Sequence, residues 1–252
     1  MDNMHIAMDH YNKYNPLYLE TYGSVIQSYI SENPYEMLAF MAAKMGLKDG
    51  YNVLDAGSGF GGPAFYFSKL YDINITGINI DPEQIMISES IATKLGRDKV
   101  RFKLHDFHEL NSLASEKLFN VIYFLESIGH CNDLETVLKE CHKVLCRNGI
   151  VFIKTFFEGE NLKDQQPYAM QELVDFYGYT TFNDDSFREN VCNAGFYIEE
   201  SSKFPQMNLD FDKTTNFEKP IREEKLLVEG MDYGWENFNM NYIILRKAYK
   251  GV

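Results

Sequence analysis

Apolar and polar positions along this chain alternate in blocks that predict strands and helices in turn. Short runs rich in Val, Ile, Phe and Tyr predict buried strands at residues 52–55, 73–80, 100–107, 119–125, 150–155, 196–200 and 241–247. Stretches with helical spacing predict helices at residues 63–70, 133–145 and 186–194. Because strands and helices alternate through most of the chain, the pattern predicts an α/β fold with a doubly wound sheet.

The first strand runs into a glycine-rich turn, Asp55-Ala56-Gly57-Ser58-Gly59-Phe60-Gly61. Such a turn brings bare backbone N–H groups and a carboxylate close to a small molecule at the carboxyl end of a strand. A tight turn that binds nothing has the same glycines, so the motif needs its context. The spacing differs from the G-x-G-x-x-G of dinucleotide sites. Asp55 would repel a pyrophosphate, so the turn favours a ligand that carries positive charge.

The string VLDAGSGFGGPA resembles the first motif of the class I methyltransferases that depend on S-adenosyl-L-methionine (SAM). The resemblance covers about residues 50–157, where further motifs follow in the order typical of the family. It implies SAM as the cofactor, whose ammonium and sulfonium groups suit a neighbouring acid and which carries no phosphate. It also implies a Rossmann-like sheet of seven strands that ends in an antiparallel hairpin.

The same resemblance implies which residues hold the cofactor. Asn79 stands where the family usually has an acid for the ribose, and Gln84 can supply a second hydrogen bond. Asp81 can take part too, although a helix N-cap is the favoured role. Asp106 would accept from the adenine amino group, with Phe107 near the ring. The expected cofactor-binding residues are Asp55, Gly57, Ser58, Gly59, Asn79, Ile80, Gln84, Asp106, Phe107 and Leu125.

Glu126 and His130 are the candidate catalytic residues, because they follow the fourth strand, where a doubly wound sheet places the reacting group. The string Glu126-Ser127-Ile128-Gly129-His130 resembles that of the sterol and prenyl diphosphate C-methyltransferases. In those enzymes a carboxylate can stabilise a carbocation and a base removes a proton. The alternative is that Glu126 only touches the cofactor and that His130 packs under the next helix.

Aromatic residues outside the sheet are candidates for the substrate pocket. Residues 1–45 are expected to form a helical cap on a SAM-binding domain of residues 46–252, which has lid insertions at about 158–183 and 205–238. The tyrosines of residues 11–22 recur every three or four residues. Aromatic residues at such helical spacing are more often part of the core than ligand contacts, and that alternative stays open. The expected substrate contacts are Tyr11, Tyr14, Tyr18 and Trp235.

Composition narrows the classes of partner. The formal net charge is −13 and no basic stripe appears, which disfavours DNA or RNA substrates. No apolar run reaches the roughly 20 residues of a spanning helix, and the amino terminus lacks signal-peptide features, so a cytoplasmic location is expected. The four cysteines form no C-x-x-C pair and are expected to be reduced. His105 and His108 form an H-x-x-H string without a recognisable third ligand, so no metal site is expected.

These features predict methyl transfer from SAM to a small, largely apolar metabolite. Carbon methylation of an isoprenoid-like substrate such as a prenyl diphosphate is the favoured reaction, and Mg²⁺ enters only if the substrate is a diphosphate. One alternative is an O- or N-methyltransferase of a small natural product. Another is a non-catalytic SAM-binding sensor or partner subunit. The sequence leaves the oligomeric state open.

Overall fold

The computed structural model describes residues 2–26, 33–113, 118–159, 174–205 and 238–248. Within these ranges it contains the seven strands that the sequence predicts. In chain order they are Asn52–Ala56 (β1), Asn74–Asn79 (β2), Val100–Leu104 (β3), Phe119–Leu125 (β4), Leu145–Glu158 (β5), Phe196–Lys203 (β6) and Phe238–Lys247 (β7). They form one sheet in the order β3-β2-β1-β4-β5-β7-β6.

The strand directions match the family's pattern. Strands β1 to β5 pair in parallel, whereas β7 lies antiparallel to both β5 and β6. The expected seven-stranded α/β sheet with an antiparallel final hairpin is therefore confirmed. Since the order reverses between β1 and β4, the carboxyl ends of these two strands form the crevice where doubly wound sheets bind ligands.

Helices cover both faces of the sheet. Among the described residues they are Asn3–Tyr22 (α1), Pro34–Met45 (α2), Gly62–Leu70 (α3), Pro82–Lys94 (α4), Leu134–Val144 (α5) and Asp184–Asn193 (α6). One apolar cluster packs α5 and α6 against one face. A second cluster packs α2 and α3 against the other face. Because α2 shares its core with the strands, α1 is the part of the expected cap that stands apart from the sheet.

Strands β3, β5, β6 and β7 differ from their predicted ranges by three residues or more. Strand β6 continues to Lys203 instead of Glu200, and β7 begins at Phe238 instead of Asn241. Strand β3 ends at Leu104, three residues before the predicted Phe107, which instead begins a 3₁₀ helix at Phe107–Leu113. Strand β5 begins five residues before the predicted Ile150. Asn148 and Gly149, which lie between the predicted helix and the predicted strand, belong to an irregular part of β5, since Phe119 faces Leu145 while Val121 already faces Ile150.

Helix α1 has an aromatic face, although it contains a proline, Pro16. Its buried Tyr14, Tyr18 and Tyr22 pack in one cluster with Phe60 from the glycine turn and with Phe176. None of the helices in the described ranges is long and apolar enough to cross a membrane. Most of the second expected insertion, including Trp235, lies outside the described residues.

Candidate active site

The turn between β1 and α3 requires glycine. Gly57, Gly59 and Gly61 have φ of +89°, +53° and +81°, a region that side chains other than glycine rarely adopt. A Cβ atom on Gly57 would lie 2.3 Å from the Cβ of Ser127, which follows β4. The turn therefore packs tightly against the end of β4, and larger residues would push the two apart.

The expectation of bare N–H groups in this turn is wrong at three positions, one of which is Gly61, whose N–H donates to the carbonyl of Ser58 at 2.9 Å. The backbone N–H groups of Gly57 and Ser58 both donate to the carbonyl of Ile78, each at 2.9 Å. These bonds tie the turn to β2, so the two donors are already used. The glycines make room at the crevice rather than supplying a pair of free donors.

Asp55 and Ser58 lie beneath the turn and not on the cavity wall. Asp55 is 2% exposed, and its Oδ2 has no hydrogen-bond partner among the described residues. Burial raises the pKa of Asp55 to about 7, an effect that the neighbouring Tyr123 hydroxyl partly offsets. We therefore do not find the exposed acid that the sequence suggested at this position.

A cavity opens at the carboxyl ends of β1, β2 and β4, and α1 forms its opposite wall. Most of the expected site residues line it, namely Tyr11, Tyr18, Gly57, Gly59, Asn79, Ile80, Gln84, Phe107, Leu125, Glu126 and His130. Asp55, Ser58, Asp106 and Tyr14 do not. Tyr14 instead packs against His10 within the aromatic cluster, with ring centroids 4.9 Å apart.

The end of β2 and the first turn of α4 each present one amide side chain to the cavity. Asn79 Nδ2 donates to Gln84 Oε1 at 2.6 Å, and Asn79 Oδ1 accepts from the N–H of Ile80 at 2.8 Å. Asp81 caps α4, as expected, by accepting from the N–H groups of Glu83 and Gln84. Asn79 and Gln84 are thus held together at the carboxyl end of β2.

Asp106 is engaged by a neighbouring histidine. Its Oδ1 accepts from the backbone N–H of His108 at 2.8 Å and lies 2.7 Å from the His108 ring. Burial acts to raise the pKa of Asp106, but the hydrogen bonds from His108 outweigh it and the pKa is lowered. His105 instead contacts Glu109 and Ser112. The two histidines therefore have separate partners, and the described residues contain no cluster of three metal-ligating side chains.

Glu126 forms a buried ion pair that the sequence did not suggest. Lys154 Nζ donates to Glu126 Oε1, and the N–H of Glu126 donates to the carbonyl of Lys154 at 2.8 Å. The side chains are 0% and 11% exposed for Lys154 and Glu126. Burial lowers the pKa of Lys154 well below its ordinary range. We assign the pair as ammonium and carboxylate, because a neutral amine would leave a buried charge uncompensated.

His130 is neutral and its protonated nitrogen can be assigned. Nδ1 lies 3.0 Å from the carbonyl of Gly178, which only accepts, so Nδ1 carries the proton. Nε2 therefore has the lone pair, and it lies 3.4 Å from the hydroxyl of Tyr11. Burial lowers the pKa of His130 to about 4, although the bond to Gly178 acts in the opposite direction. The imidazole is a weak base in the lining of the cavity.

Aromatic rings surround this histidine. The ring of Tyr179 meets it edge-on with centroids 5.0 Å apart, and the Tyr179 hydroxyl bonds to Thr155 Oγ1 at 2.8 Å. Burial and the nearby charge of Asp81 raise the pKa of Tyr11 to about 12. The wall of this part of the cavity is thus uncharged and largely aromatic.

Several lining residues were not among the expected contacts, although Tyr22, Tyr177 and Tyr179 belong to the aromatic segments that the sequence assigned to the substrate pocket. Met4, Ala7, Met8, Tyr22, Ile26, His105, Ser127, Phe156, Tyr177 and Tyr179 line the cavity. Lys154 was also missed, although a signal was present, because a lone lysine inside the apolar run 150–155 must find a partner.

The lining fits SAM. Glycines leave room at the turn, the amides of Asn79 and Gln84 stand beside it, and the aromatic side chain of Phe107 lines the same cavity. No lysine or arginine stands among the described lining residues to repel a sulfonium. The residues in place therefore suit a cationic nucleoside better than a pyrophosphate.

Comparisons with known proteins agree with this geometry. A family model described as a methyltransferase domain matches residues 47–220, more than half of the chain. A sterol 24-C-methyltransferase from Aspergillus fumigatus is 36% identical over 112 residues, which are 44% of this chain and 29% of that protein. A phosphoethanolamine N-methyltransferase from Triticum aestivum is 26% identical over 222 residues, 84% of this chain and 40% of that protein.

The fold is also found in solved structures. The crystal structure of the 4+2 cyclase SpnF has a TM-score of 0.77 and 18% identity over 98% of this chain and 96% of that chain, a likeness that shows the fold alone.

The chain belongs to the methyltransferase-domain family. Family and fold together make it a class I SAM-dependent methyltransferase domain. The matched segments span less than half of the two curated relatives, 29% and 40% of their length.

Proposed function

We propose that this protein transfers the methyl group of SAM to a carbon atom of a small, apolar, alkene-containing metabolite of the isoprenoid kind. One observation carries the proposal: a neutral histidine, His130, lines an aromatic cavity with an unprotonated Nε2. A base of this kind suits an acceptor that loses its proton readily.

The cofactor would be held by the crevice between β1, β2 and β4. Gly57 and Gly59 give it room, Asn79 and Gln84 would meet the ribose hydroxyls, and Phe107 would lie against the adenine. When bound, SAM supplies an electrophilic methyl group on its sulfonium, and the rest of the cofactor leaves as S-adenosylhomocysteine. The protein's task at that step is to position the acceptor.

The basicity of His130 favours carbon over a protonated amine. Methylation of an alkene carbon leaves a carbocation, which gives up a proton even to a weak base, and the released C–H electron pair closes a new double bond. An alkylammonium with a pKa near about 10 would hold its proton against an imidazole of pKa about 4. That mismatch of roughly six units corresponds to about 8 kcal/mol.

The surroundings of His130 support a cationic intermediate. Ring faces attract positive charge, and Tyr11, Phe156, Tyr177 and Tyr179 line this part of the cavity. Lys154 occupies Oε1 of Glu126, so Oε2 is the oxygen that can meet a ligand. Glu126 would then stabilise the cation as one half of an ion pair and not as a bare anion.

The charge of the lining bears on the acceptor. The lining residues within the described ranges include the acids Asp81 and Glu126 but no lysine or arginine. A diphosphate would face these acids without a counter-charge, so we favour an uncharged acceptor such as a prenyl alcohol or a sterol alkene over a prenyl diphosphate. Mg²⁺ enters the proposal only with a diphosphate.

N-methylation is the second candidate, because the phosphoethanolamine N-methyltransferase of Triticum aestivum aligns with 84% of this chain. An amine that enters the cavity unprotonated needs no base, and the aromatic lining would also receive its methylated cation. O-methylation needs a strong base, and the described lining residues include none. A SAM-binding sensor would release no product.

Label transfer from methyl-labelled SAM tests the proposal. The acceptors are a prenyl alcohol, a sterol with a side-chain alkene, a prenyl diphosphate with and without Mg²⁺, and phosphoethanolamine. We expect label in one of the uncharged alkenes and release of S-adenosylhomocysteine. Label in phosphoethanolamine alone contradicts carbon methylation, and SAM binding without transfer to any of these or to a metabolite extract supports the sensor.

A further inference from the structure

Asn15 lies in the middle of α1 and is 1% exposed, and its amide reaches across to the start of α4. Nδ2 donates to Asp81 Oδ2 at 2.7 Å and to Glu83 Oε2 at 3.0 Å. Oδ1 accepts from Gln84 Nε2 at 2.7 Å. The Asn15 side chain thus uses both amide hydrogens and its carbonyl oxygen to bond three residues at the start of α4.

These bonds fix which way the Gln84 amide points. Because Nε2 of Gln84 donates to Asn15, its Oε1 must be the atom that accepts from Asn79 Nδ2. Asn79 is fixed in turn, since its Oδ1 accepts from the N–H of Ile80. Where other family members hold the ribose with an acid, this protein has the amide pair of Asn79 and Gln84. The ribose hydroxyls then need one acceptor and one donor in a defined order. Asn15 sets that order from outside the sheet.

The location of Asn15 is costly for the helix itself. Asn is a poor residue for a helix interior, and Pro16 disfavours helical geometry at the residue before it and removes one backbone hydrogen bond. A helix with these residues at its centre depends on its tertiary contacts for stability. The contacts with Asp81, Glu83 and Gln84 are therefore a main attachment of α1 at this point.

We infer that Asn15 is a positioning residue for the cofactor, and that cofactor binding and the docking of α1 stabilise each other through it. Thermodynamic linkage makes the effect reciprocal. The same helix supplies Met4, Ala7, Met8 and Tyr11 to the cavity wall. An occupied cofactor site would therefore complete the wall of the acceptor pocket. This inference rests on the cofactor part of the proposed function and is independent of the acceptor.

The test uses Asn15→Asp, which removes both donors and adds a carboxylate beside Asp81 and Glu83, and Asn12→Asp as the matched control. Asn12 is the same residue type on an exposed position of the same helix. Calorimetry measures the affinity for S-adenosylhomocysteine. Trypsin digestion with mass spectrometry follows cleavage after Lys13, next to the buried Tyr14, with and without the ligand.

In the wild type we expect the ligand to slow cleavage after Lys13. Asn15→Asp should lower affinity about tenfold and lose this protection, while Asn12→Asp stays within about twofold. If circular dichroism shows that Asn15→Asp does not fold, Asn15→Ala, which adds no charge, takes its place. A folded Asn15 variant that binds the ligand as the wild type does would overturn the inference. Failure of the wild type itself to bind SAM or S-adenosylhomocysteine would instead refute the cofactor assignment.

Discussion

The ammonium of Lys154 touches the carboxylate of Glu126 just past the carboxyl end of β4, where Leu125 of β4 pairs with Lys154 of β5. Among the described residues Glu126 is the one non-glycine residue with a left-handed backbone, at φ +60°. Such a conformation costs a residue with a side chain about 1–2 kcal/mol. The ion pair and the backbone bond between the same two residues hold this strained residue at the cavity wall.

Lys154→Met should lower the free energy of unfolding by about 3–5 kcal/mol, because it leaves the carboxylate of Glu126 buried without its partner. Adding Glu126→Gln should recover part of the loss. The matched control is Lys99→Met, which breaks an exposed pair with Asp72 and should cost less than about 1 kcal/mol. Urea denaturation measures all of these. An equal cost for the two lysines would show that the pair contributes no more than a surface contact.

His130→Gln tests the buried imidazole through the pH dependence of stability. The folded-state pKa of about 4 lies below the ordinary 6.5. The unfolded chain therefore binds the proton first, and the wild type loses roughly 3 kcal/mol as pH falls from about 6.5 to 4. The variant should lose less over this range, whereas His5→Gln, at an exposed site, should behave as the wild type does. Parallel curves for His130→Gln and the wild type would argue against a buried neutral histidine.

Gly57→Ala should abolish measurable SAM binding. The added Cβ meets the Cβ of Ser127 at 2.3 Å, so the turn or the end of β4 must shift. Gly96→Ala is the matched control, since Gly96 also has positive φ, +61°, but has no atom within 4 Å of the added Cβ. Both variants should lose about 1 kcal/mol of stability from backbone strain. Only Gly57→Ala should lose affinity, by about 100-fold or more in calorimetry, and wild-type affinity there would remove the turn from the cofactor site.

Asp55→Asn should make the protein more stable above neutral pH. The pKa of Asp55 is raised from 3.8 to about 7. The folded state therefore holds the proton of Asp55 more tightly than the unfolded chain does. The resulting contribution to the free energy of unfolding is fully present below about pH 4. It is lost as pH rises through 7, by up to about 4 kcal/mol. Melting temperatures at pH 5 and 8 should differ less in the variant than in the wild type, with exposed Asp98→Asn as control. An unchanged difference would place the Asp55 carboxylate in solvent.

The parts of the site that the sequence predicted are local in the chain. The apolar strand, the acid and the glycines of the first turn stand next to one another, and Asp81 precedes α4 as a cap should. His130 follows its strand by five residues, so its place near the crevice was also readable. In each case a short-range pattern determines the position of the side chain.

The parts that the sequence did not predict depend on register between distant segments. Lys154 meets Glu126 because Leu125 faces Lys154 across β4 and β5, and a one-residue shift would turn the lysine to the other face. The turn donors of Gly57 and Ser58 are used by Ile78 for the same reason. Asn15 reaches Asp81 and Gln84 only after α1 docks against the start of α4.

The most direct test of carbon methylation follows the methyl group and the departing proton in one product. An alkene acceptor deuterated on the carbons that can lose the proton is incubated with SAM that carries a ¹³C methyl group, and the product is examined by NMR and mass spectrometry. We expect a ¹³C methyl bonded to carbon, the loss of a single deuterium, and a turnover strongly reduced in His130→Gln. A labelled methyl bonded to nitrogen or oxygen, with all deuterium retained, would contradict carbon methylation.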